Sequence, residues 1–324
     1  MSVKEPDLIL SIKSVNDLMR CINLASLLEL AGWPKPGNVH RTKDFENTRF
    51  EHFLSGIAAI QPTFRTFCEK IFHMPYNDNL NYGFIELGIL FVEAAEQMIK
   101  WQSGGNVLLG HILILAPLTA AVILCIKSNS IKISDFRYHL NKIIDDTTVE
   151  DTINLYKAIR ICNPGGLGKI DKYDINNENT LNDIRADNIN LKKIFNLSKE
   201  YDLISSEYST GFDIILDEGL PYILQAYNQF GDPNIAIVNT FLKILASHPD
   251  TLIIRKSGFE PANDISVSVL KIVKKGGIST PIGLELTIEL DRKLQEQKGK
   301  MNPGTTADLI AGVIFCALVF GLRI

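Results

Sequence analysis

Residues 101–126 read WQSGGNVLLGHILILAPLTAAVILCI, and this stretch contains no Asp, Glu, Lys or Arg. At a rise of about 1.5 Å per residue, a helix of this length could cross a bilayer. The polar sequence QSGGN precedes the apolar part, however, and His111 and Pro117 interrupt it. No unbroken apolar run of about 20 residues remains, so we expect a buried core helix over 106–126 rather than a membrane span.

The length and composition indicate a globular protein that stays inside the cell. A chain of 324 residues can bury roughly 75% of its unfolded surface, and we expect one domain over 1–324. The five cysteines contain no C-x-x-C pair, which favours reduced thiols in a cytoplasmic compartment and makes a zinc site unlikely. Glu5 and Pro6 interrupt the N-terminus, which therefore does not resemble a secretory signal.

The charge balance argues against a nucleic-acid partner. Lys and Arg number 33 against 37 Asp and Glu, which gives a formal net charge of -4. Proteins that bind nucleic acids usually present a strong positive field. We therefore expect neither a nucleic acid nor a membrane as a partner, although local basic pockets remain compatible with this composition.

Helical periodicity dominates the rest of the sequence. Ser14 and Asp17 have the spacing of a capping box, and leucines follow at helical spacing until Gly32. Further helices are expected over 48–72, 82–101, 148–161 and 190–216, and after Pro221, Pro233, Pro261 and Pro281. The best strand candidate, 251–254, is too short to support a sheet, and the polar stretch 169–193 should be an exposed connection or a lid. The pattern predicts an all-α, single multi-helix globular domain with glycine-rich loops at helix starts.

Two segments rich in Gly and Pro lie near opposite ends of the chain: the first Pro-Gly segment, PKPGNVHR at 34–41, and the second, NPGTTAD at 302–308. A turn that opens a helix can present backbone N–H groups and the positive helix end to an anion. In the second segment, Thr305 is a candidate N-cap with Asp308 at capping-box spacing, so ordinary capping explains the pattern equally well. The phosphate-binding hypothesis comprises Lys35, Gly37, Asn38, His40, Arg41, Asn106, Arg255, Asn302 and Thr305.

Glu93 and Glu96 are the candidate metal ligands. They stand at i and i+3 on a predicted helix, which places both carboxylates on one face and suits a hydrated Mg²⁺ ion. Glu96 could instead pair with Lys100 at i+4. A P-loop, a dinucleotide fingerprint and the common nucleophile motifs are absent from the sequence, which disfavours covalent catalysis. Among the histidines, His40 is the better functional candidate, because His111 lies in an apolar stretch that is typical of a core.

Five sequence pieces, taken in order, resemble the ATP:dephospho-coenzyme-A triphosphoribosyl transferase family, also called triphosphoribosyl-dephospho-coenzyme-A synthase. They are PKPGNV at 34–39, AEQM at 95–98, GN with a following Gly at 105–110, DTLIIR with a following Gly at 250–258, and GTTADL at 304–309. The resemblance spans nearly the full chain and is strongest to the archaeal branch, in which PKPGNVHR recurs. It implies an all-α fold and an enzyme that moves the triphosphoribosyl group of ATP to a ribose hydroxyl of dephospho-CoA or a related acceptor, with adenine as the leaving group.

The chain departs from the bacterial members at two places. TKDFENT at 42–48 stands where they carry G-A-H-x-D-M, and the segment 105–110 keeps Asn and Gly but lacks their Thr, His and Lys. These differences leave the acceptor, and the donor, open for this branch.

Displacement of a base at C1 of ribose requires neutralised phosphates, a stabilised oxocarbenium-like sugar and a protonated leaving base. We expect Mg²⁺ on Glu93 and Glu96, together with basic side chains, to meet the triphosphate, and Asp44 or Asp308 to act on the sugar or the acceptor hydroxyl. Three alternatives remain: an all-α Mg-dependent nucleoside-triphosphate pyrophosphohydrolase, a non-catalytic nucleotide-binding protein, and a membrane-associated protein built around 101–126. The expected partners are nucleotide and CoA-type small molecules, and a homo-oligomer is compatible with the sequence.

Overall fold

The computed structural model describes residues 8–75, 81–167 and 172–324. Within these ranges it contains fifteen α-helices and no β-strand, so the prediction of an all-α single domain is confirmed. The helices are α1 (Val15–Ala31), α2 (Phe50–His73), α3 (Leu87–Lys100), α4 (Leu109–Ser128), α5 (Ile133–Asp145), α6 (Val149–Cys162), α7 (Thr180–Ala186), α8 (Leu191–Ser198), α9 (Leu203–Thr210), α10 (Leu220–Phe230), α11 (Pro233–Ser247), α12 (Thr251–Ser257), α13 (Phe259–Lys274), α14 (Pro281–Gln295) and α15 (Gly304–Val319).

The helices α4 and α15 form the centre of the fold and pack against each other. By length and composition α4 could span a membrane, with a mean hydropathy of 2.4, but 89% of that window is buried inside the protein. Helices α1, α2, α3 and α5 cover α4, while α1, α10 and α11 cover α15. The apolar part of 101–126 therefore forms a core helix, α4. A helix that is apolar on all sides requires a surrounding shell of amphipathic helices.

Several helix starts follow the local sequence signals. The Ser14 side chain accepts a hydrogen bond from the Asp17 N–H, and α1 begins one residue after Ser14, as predicted. Pro233 and Pro281 each occupy the first position of their helix, where the missing N–H leaves no bond unmade.

Two sequence-based predictions are wrong at the second Pro-Gly segment and its neighbour. Residues 251–254 form the first turn of α12 instead of a strand, because the Asp250 carboxylate accepts from the N–H groups of Leu252 and Ile253. Thr305 is not the N-cap of α15, since Pro303 occupies that position and its side chain makes no capping bond. Asp250 again provides the reason, because it accepts a bond from the Thr306 N–H in the first turn of α15.

The middle of the chain is more finely divided than the sequence indicates. The predicted helix over 190–216 is split into α8, α9 and a π-helical turn at Ile214–Gly219, with Gly211 in the left-handed region that ends α9. The predicted exposed connection over 169–193 is partly wrong, because it contains α7 and the start of α8. Its residues 169–171 lie outside the described residues. Helix α5 was not predicted.

Candidate active site

The two Pro-Gly segments meet in the folded chain. The Asn38 Nδ2 donates to the Asn302 Oδ1 at 2.6 Å across 264 positions of sequence, and it lies 3.4 Å from the Pro303 carbonyl oxygen. Gln295, at the end of α14, donates to the Asn38 carbonyl oxygen at 2.6 Å. Residues from both ends of the chain therefore form one local structure.

The first Pro-Gly segment is held by Asp291 of α14. The Gly37 N–H donates to the Asp291 Oδ1 at 2.9 Å, and the His40 Nε2 lies 3.0 Å from the Asp291 Oδ2. Gly37 has φ of +79°, and a Cβ at this position would lie 2.6 Å from the Met301 carbonyl oxygen. Only glycine fits such a site without displacement of the backbone. His40 is buried and is engaged by Asp291.

The second Pro-Gly segment is held by Asp250, which precedes α12. The Asp250 Oδ2 accepts from the Thr306 N–H at 2.7 Å and from the Thr306 hydroxyl at 2.8 Å. Burial raises the pKa of Asp250, and the bonds from Thr306 and Ile253 only partly offset this rise. The Thr251 hydroxyl donates to the Thr305 Oγ1 at 3.2 Å. The Asp250 carboxyl group thus already occupies part of the start of α15, where the sequence predicts an anion-binding site.

Four titratable side chains, Glu29, Lys35, His111 and Asp308, form what we call the buried charge cluster. The His111 Nδ1 lies 2.7 Å from the Asp308 Oδ1, and its Nε2 lies 3.4 Å from the Glu29 Oε2. The Lys35 ammonium pairs with the Glu29 carboxylate and also donates to the Glu29 carbonyl oxygen at 2.5 Å. Glu29, Lys35 and His111 are each at most 4% exposed. Two acidic groups therefore face two basic groups in a largely buried cluster, the pairing that buried charges require.

The cluster shifts the pKa values of its members. Burial lowers the pKa of His111, but its hydrogen bonds to Asp308 and Glu29 outweigh that effect and raise the pKa to about 9. Burial raises the pKa of Glu29, yet the neighbouring Lys35 and His111 bring it below its ordinary value. Burial also raises the pKa of Asp308, and the contact with His111 offsets only part of the rise. These contacts favour the imidazolium form of His111, which lies between Glu29 and Asp308.

Asp308 is the member of the cluster that reaches solvent. Its side chain is 20% exposed, and within the described residues no hydrogen bond engages its Oδ2. Gly110, in the first turn of α4, packs directly against this carboxylate, because a Cβ on Gly110 would lie 1.9 Å from the Oδ2. Asn106 supports the same region, since its Oδ1 accepts from the Leu109 N–H at 3.1 Å. The start of α4 is thereby shaped around one oxygen of Asp308.

Unpartnered polar atoms are concentrated around this site. Of the seven buried side-chain nitrogen and oxygen atoms in the described residues that lack a well-formed hydrogen bond, two belong to Asn38 (Oδ1) and Gln295 (Oε1), and a third, the His111 Nε2, has only its long contact of 3.4 Å with the Glu29 Oε2. Buried polar atoms in folded proteins are almost always paired. Their concentration between the two Pro-Gly segments is typical of a place that receives a ligand or an ordered water.

The remaining acid and the exposed cations of the hypothesis have their hydrogen-bond and ion-pair partners outside the cluster. Asp44 accepts from the Phe50 N–H at 2.9 Å and from the Arg49 Nε at 3.3 Å, so it caps the start of α2. Arg41 pairs with Glu51 on the surface. Arg255 pairs with Asp202 at 2.7 Å and is partly exposed. A Cβ on Gly166 would lie 3.1 Å from the Arg255 Cβ, which shows that the glycine-rich loop after α6 adjoins this arginine.

Glu93 and Glu96 lie on the exposed face of α3. Neither carboxylate takes part in a hydrogen bond or an ion pair with any residue that the structure describes. A pair of carboxylates with free oxygens is the donor type that Mg²⁺ takes together with substrate phosphates and water, so the donor set fits this ion. The described ranges contain no group of three or more His, Cys, Asp or Glu side chains that could hold a metal without a substrate.

Comparisons with known proteins assign the family of the chain. The model of the CitG family, ATP:dephospho-CoA triphosphoribosyl transferase, matches residues 15–323. The chain belongs to this family. Its fold also resembles the crystal structure of a provisionally assigned triphosphoribosyl-dephospho-CoA synthase from Archaeoglobus fulgidus, with a TM-score of 0.61 and 25% identity over 83% of this chain and 100% of the other. The predicted enzyme class is therefore confirmed. The family consists of transferases that use ATP and dephospho-CoA and move a triphosphoribosyl group.

Sequence reasoning did not assign a role to Glu29, His111, Asp250 or Asp291. Glu29 stands alone among leucines near the end of α1, and His111 is the one side chain within 101–126 that can carry a positive charge. A lone ionisable residue in an apolar helix must be paired once it is buried, and this signal could have identified both. Asp250 and Asp291 act through backbone contacts of distant segments, which their own neighbourhoods in the sequence do not indicate.

Proposed function

We propose that Asp308 is the general base of the triphosphoribosyl transfer and that the acceptor is a ribose hydroxyl of dephospho-CoA. The observation that supports this proposal is the Oδ2 of Asp308, which no hydrogen bond engages among the described residues, on a side chain that is 20% exposed and whose Oδ1 is held by His111. Asp44 is the weaker candidate, because both of its oxygens already serve the start of α2.

The proposed chemistry follows from the position and the pKa of Asp308. The acceptor hydroxyl gives its proton to the Oδ2 while its oxygen forms a bond to C1 of the ATP ribose. The bond from C1 to adenine breaks, its electron pair leaves with adenine, and adenine takes up one proton from water. Asp308 afterwards releases the acceptor proton to water, so that the reaction is balanced. The raised pKa makes Asp308 a stronger base than an ordinary carboxylate. His111 and Lys35 balance the negative charge of the buried carboxylates throughout.

Arg41 and Arg255 are proposed to bind the triphosphate. Their side chains are 71% and 31% exposed, and each could exchange its present carboxylate partner for a phosphate. Lys35 is instead proposed to balance the charge of Glu29, because its ammonium group is already bound to Glu29 inside the buried charge cluster. The other residues of the phosphate-binding hypothesis are proposed to support the same region. They are the side chains of Asn38, His40, Asn106, Asn302 and Thr305 and the backbone of Gly37.

Glu93 and Glu96 are the residues proposed to hold Mg²⁺. When bound, the ion would neutralise charge on the triphosphate. We further propose that the enzyme acts on these small molecules in the cytoplasm, without a nucleic-acid or membrane partner.

Adenine release tests the role of Asp308. With ATP, Mg²⁺ and dephospho-CoA, we expect Asp308→Asn to lower kcat for adenine release by about 10²- to 10⁴-fold, the usual contribution of a positioned base. ATP binding, measured by calorimetry, should stay within a few-fold of the parent. Asp44→Asn is the matched control and should retain most of the activity. If Asp44→Asn lost all adenine release while Asp308→Asn remained active, Asp44 would be the general base instead of Asp308.

Gly110→Ala probes the same carboxylate without removal of any polar group. Alanine is the better helix former by roughly 1 kcal/mol, so the fold should be retained. The added methyl group must displace the Asp308 Oδ2, and we expect kcat to fall by at least about tenfold. An active Gly110→Ala protein with unchanged KM would contradict the placement of the base.

A further inference from the structure

The outer face of α13 carries an ordered charge pattern. Its exposed residues at helical spacing are Glu260, Asp264, Val267, Lys271 and Lys274, so two acids precede a central valine and two lysines follow it. Val267 is 46% exposed and its neighbour Leu270 is 39% exposed. We call these six residues the α13 stripe.

The charges of the stripe are not neutralised within the chain. Among the residues that the structure describes, none of the four charged side chains forms an ion pair. Glu260 and Asp264 are like charges at i and i+4, and Lys271 and Lys274 are like charges at i and i+3. Such pairs destabilise an isolated helix. The helix dipole favours Glu260 and the lysines at their ends of α13, but it does not explain Asp264 in the second turn or the exposed apolar centre.

We propose that the α13 stripe is a self-complementary dimer interface in which α13 packs antiparallel to α13 of a second copy. Two-fold symmetry places Val267 against Val267 of the partner subunit at the axis. Asp264 lies three positions before Val267 and Lys271 lies four after it, so each acid of one copy faces a lysine of the other. Glu260 and Lys274 stand in the same relation one turn further out.

Neighbouring exposed side chains extend this surface. Helix α14 packs against α13 and exposes Ile282 at 60% and Ile288 at 41%. Exposed apolar side chains beside charged ones are typical of contact surfaces between proteins. A second copy satisfies the apolar centre and all four charges at once, which is why this occupant is favoured over a different partner.

A charge-exchange experiment tests the dimer. Sedimentation velocity between about 1 and about 100 µM should show a concentration-dependent dimer in the parent. Lys271→Glu should weaken it by at least tenfold, and Asp264→Lys should do the same, because each places like charges opposite one another twice. The double variant Asp264→Lys with Lys271→Glu should restore the dimer. Lys199→Glu, a reversal at an exposed lysine in the turn after α8, is the control and should have no effect.

A cross-link provides a second measurement that does not depend on the stability of α13. All five natural cysteines are buried, so Val267→Cys adds the one readily accessible thiol among the described residues. Mild oxidation should give a covalent dimer on a non-reducing gel, whereas Leu197→Cys, at a site that is 55% exposed, should not. A monomeric parent at all concentrations, a double variant that stays monomeric although folded, or absence of the cross-link would overturn the proposal.

Discussion

The side chain of Asp250 contacts the first turn of α15, and Asp308 lies in the same helix, yet the oxygens of the two residues have different partners. The two oxygens of Asp250 accept four hydrogen bonds, from the N–H groups of Leu252, Ile253 and Thr306 and from the Thr306 hydroxyl. Asp308 has one oxygen on His111, and no hydrogen bond engages the other among the described residues. A carboxylate saturated by backbone donors holds helices together, whereas one held through a single oxygen by a titratable partner can exchange a proton with a substrate.

The largest expected difference between the two is in stability. Asp250→Ala removes the cap of α12 and leaves the buried Thr306 donors unpaired, so we expect a loss of about 2 to 4 kcal/mol in the free energy of unfolding. Asp308→Asn keeps an acceptor for His111 and should cost about 1 kcal/mol. Urea unfolding of both variants measures the contrast. Equal losses would remove the distinction between a structural and a reactive carboxylate.

Glu207 is a second buried carboxyl group held by backbone N–H groups, and we expect it to make stability depend on pH. It is buried and accepts from the N–H groups of Ile214 and Ile215, as Asp250 does at its own helix start. Burial raises the pKa of Glu207 to about 8, so the folded state holds a proton that the unfolded state releases near pH 4.5. Stability should therefore fall as the pH rises from about 4.5 to about 8, by at most about 1.4 kcal/mol per unit.

Glu207→Gln removes this titration, and its free energy of unfolding should vary less over that pH range. Urea unfolding at several pH values compares it with the parent. Parallel curves for the two proteins would show that Glu207 is ionised in the folded state.

The sequence predicted those parts of the fold that local signals determine. Ser14 and Asp17 begin α1, and the uncharged run within 101–126 becomes the buried α4, because capping and hydrophobicity act over a few residues. The strand prediction at 251–254 failed because Asp250 supplies a cap whose partners lie in two helices. Local pattern could not separate these two outcomes for so short an apolar run.

The candidate site was predicted only in part. The two Pro-Gly segments and Asp308 were identified, and the structure brings the segments together. The partners that give Asp308 its properties were not identified, since His111 is 197 positions away and Glu29 acts through His111. Such convergence depends on the packing of α1, α4 and α15, which single-sequence periodicity does not determine.

The protonation state of His111 decides whether Asp308 can act as proposed. We propose that an imidazolium between Glu29 and Asp308 holds Asp308 in place as the reacting carboxylate. Nitrogen-15 NMR of the imidazole rings, with the His111 signal assigned by its loss in His111→Asn, should show a pKa near 9 in the parent. The pKa should fall clearly in Asp308→Asn. Titration of His111 near its ordinary value of about 6.5 in the parent, unchanged in Asp308→Asn, would contradict the account.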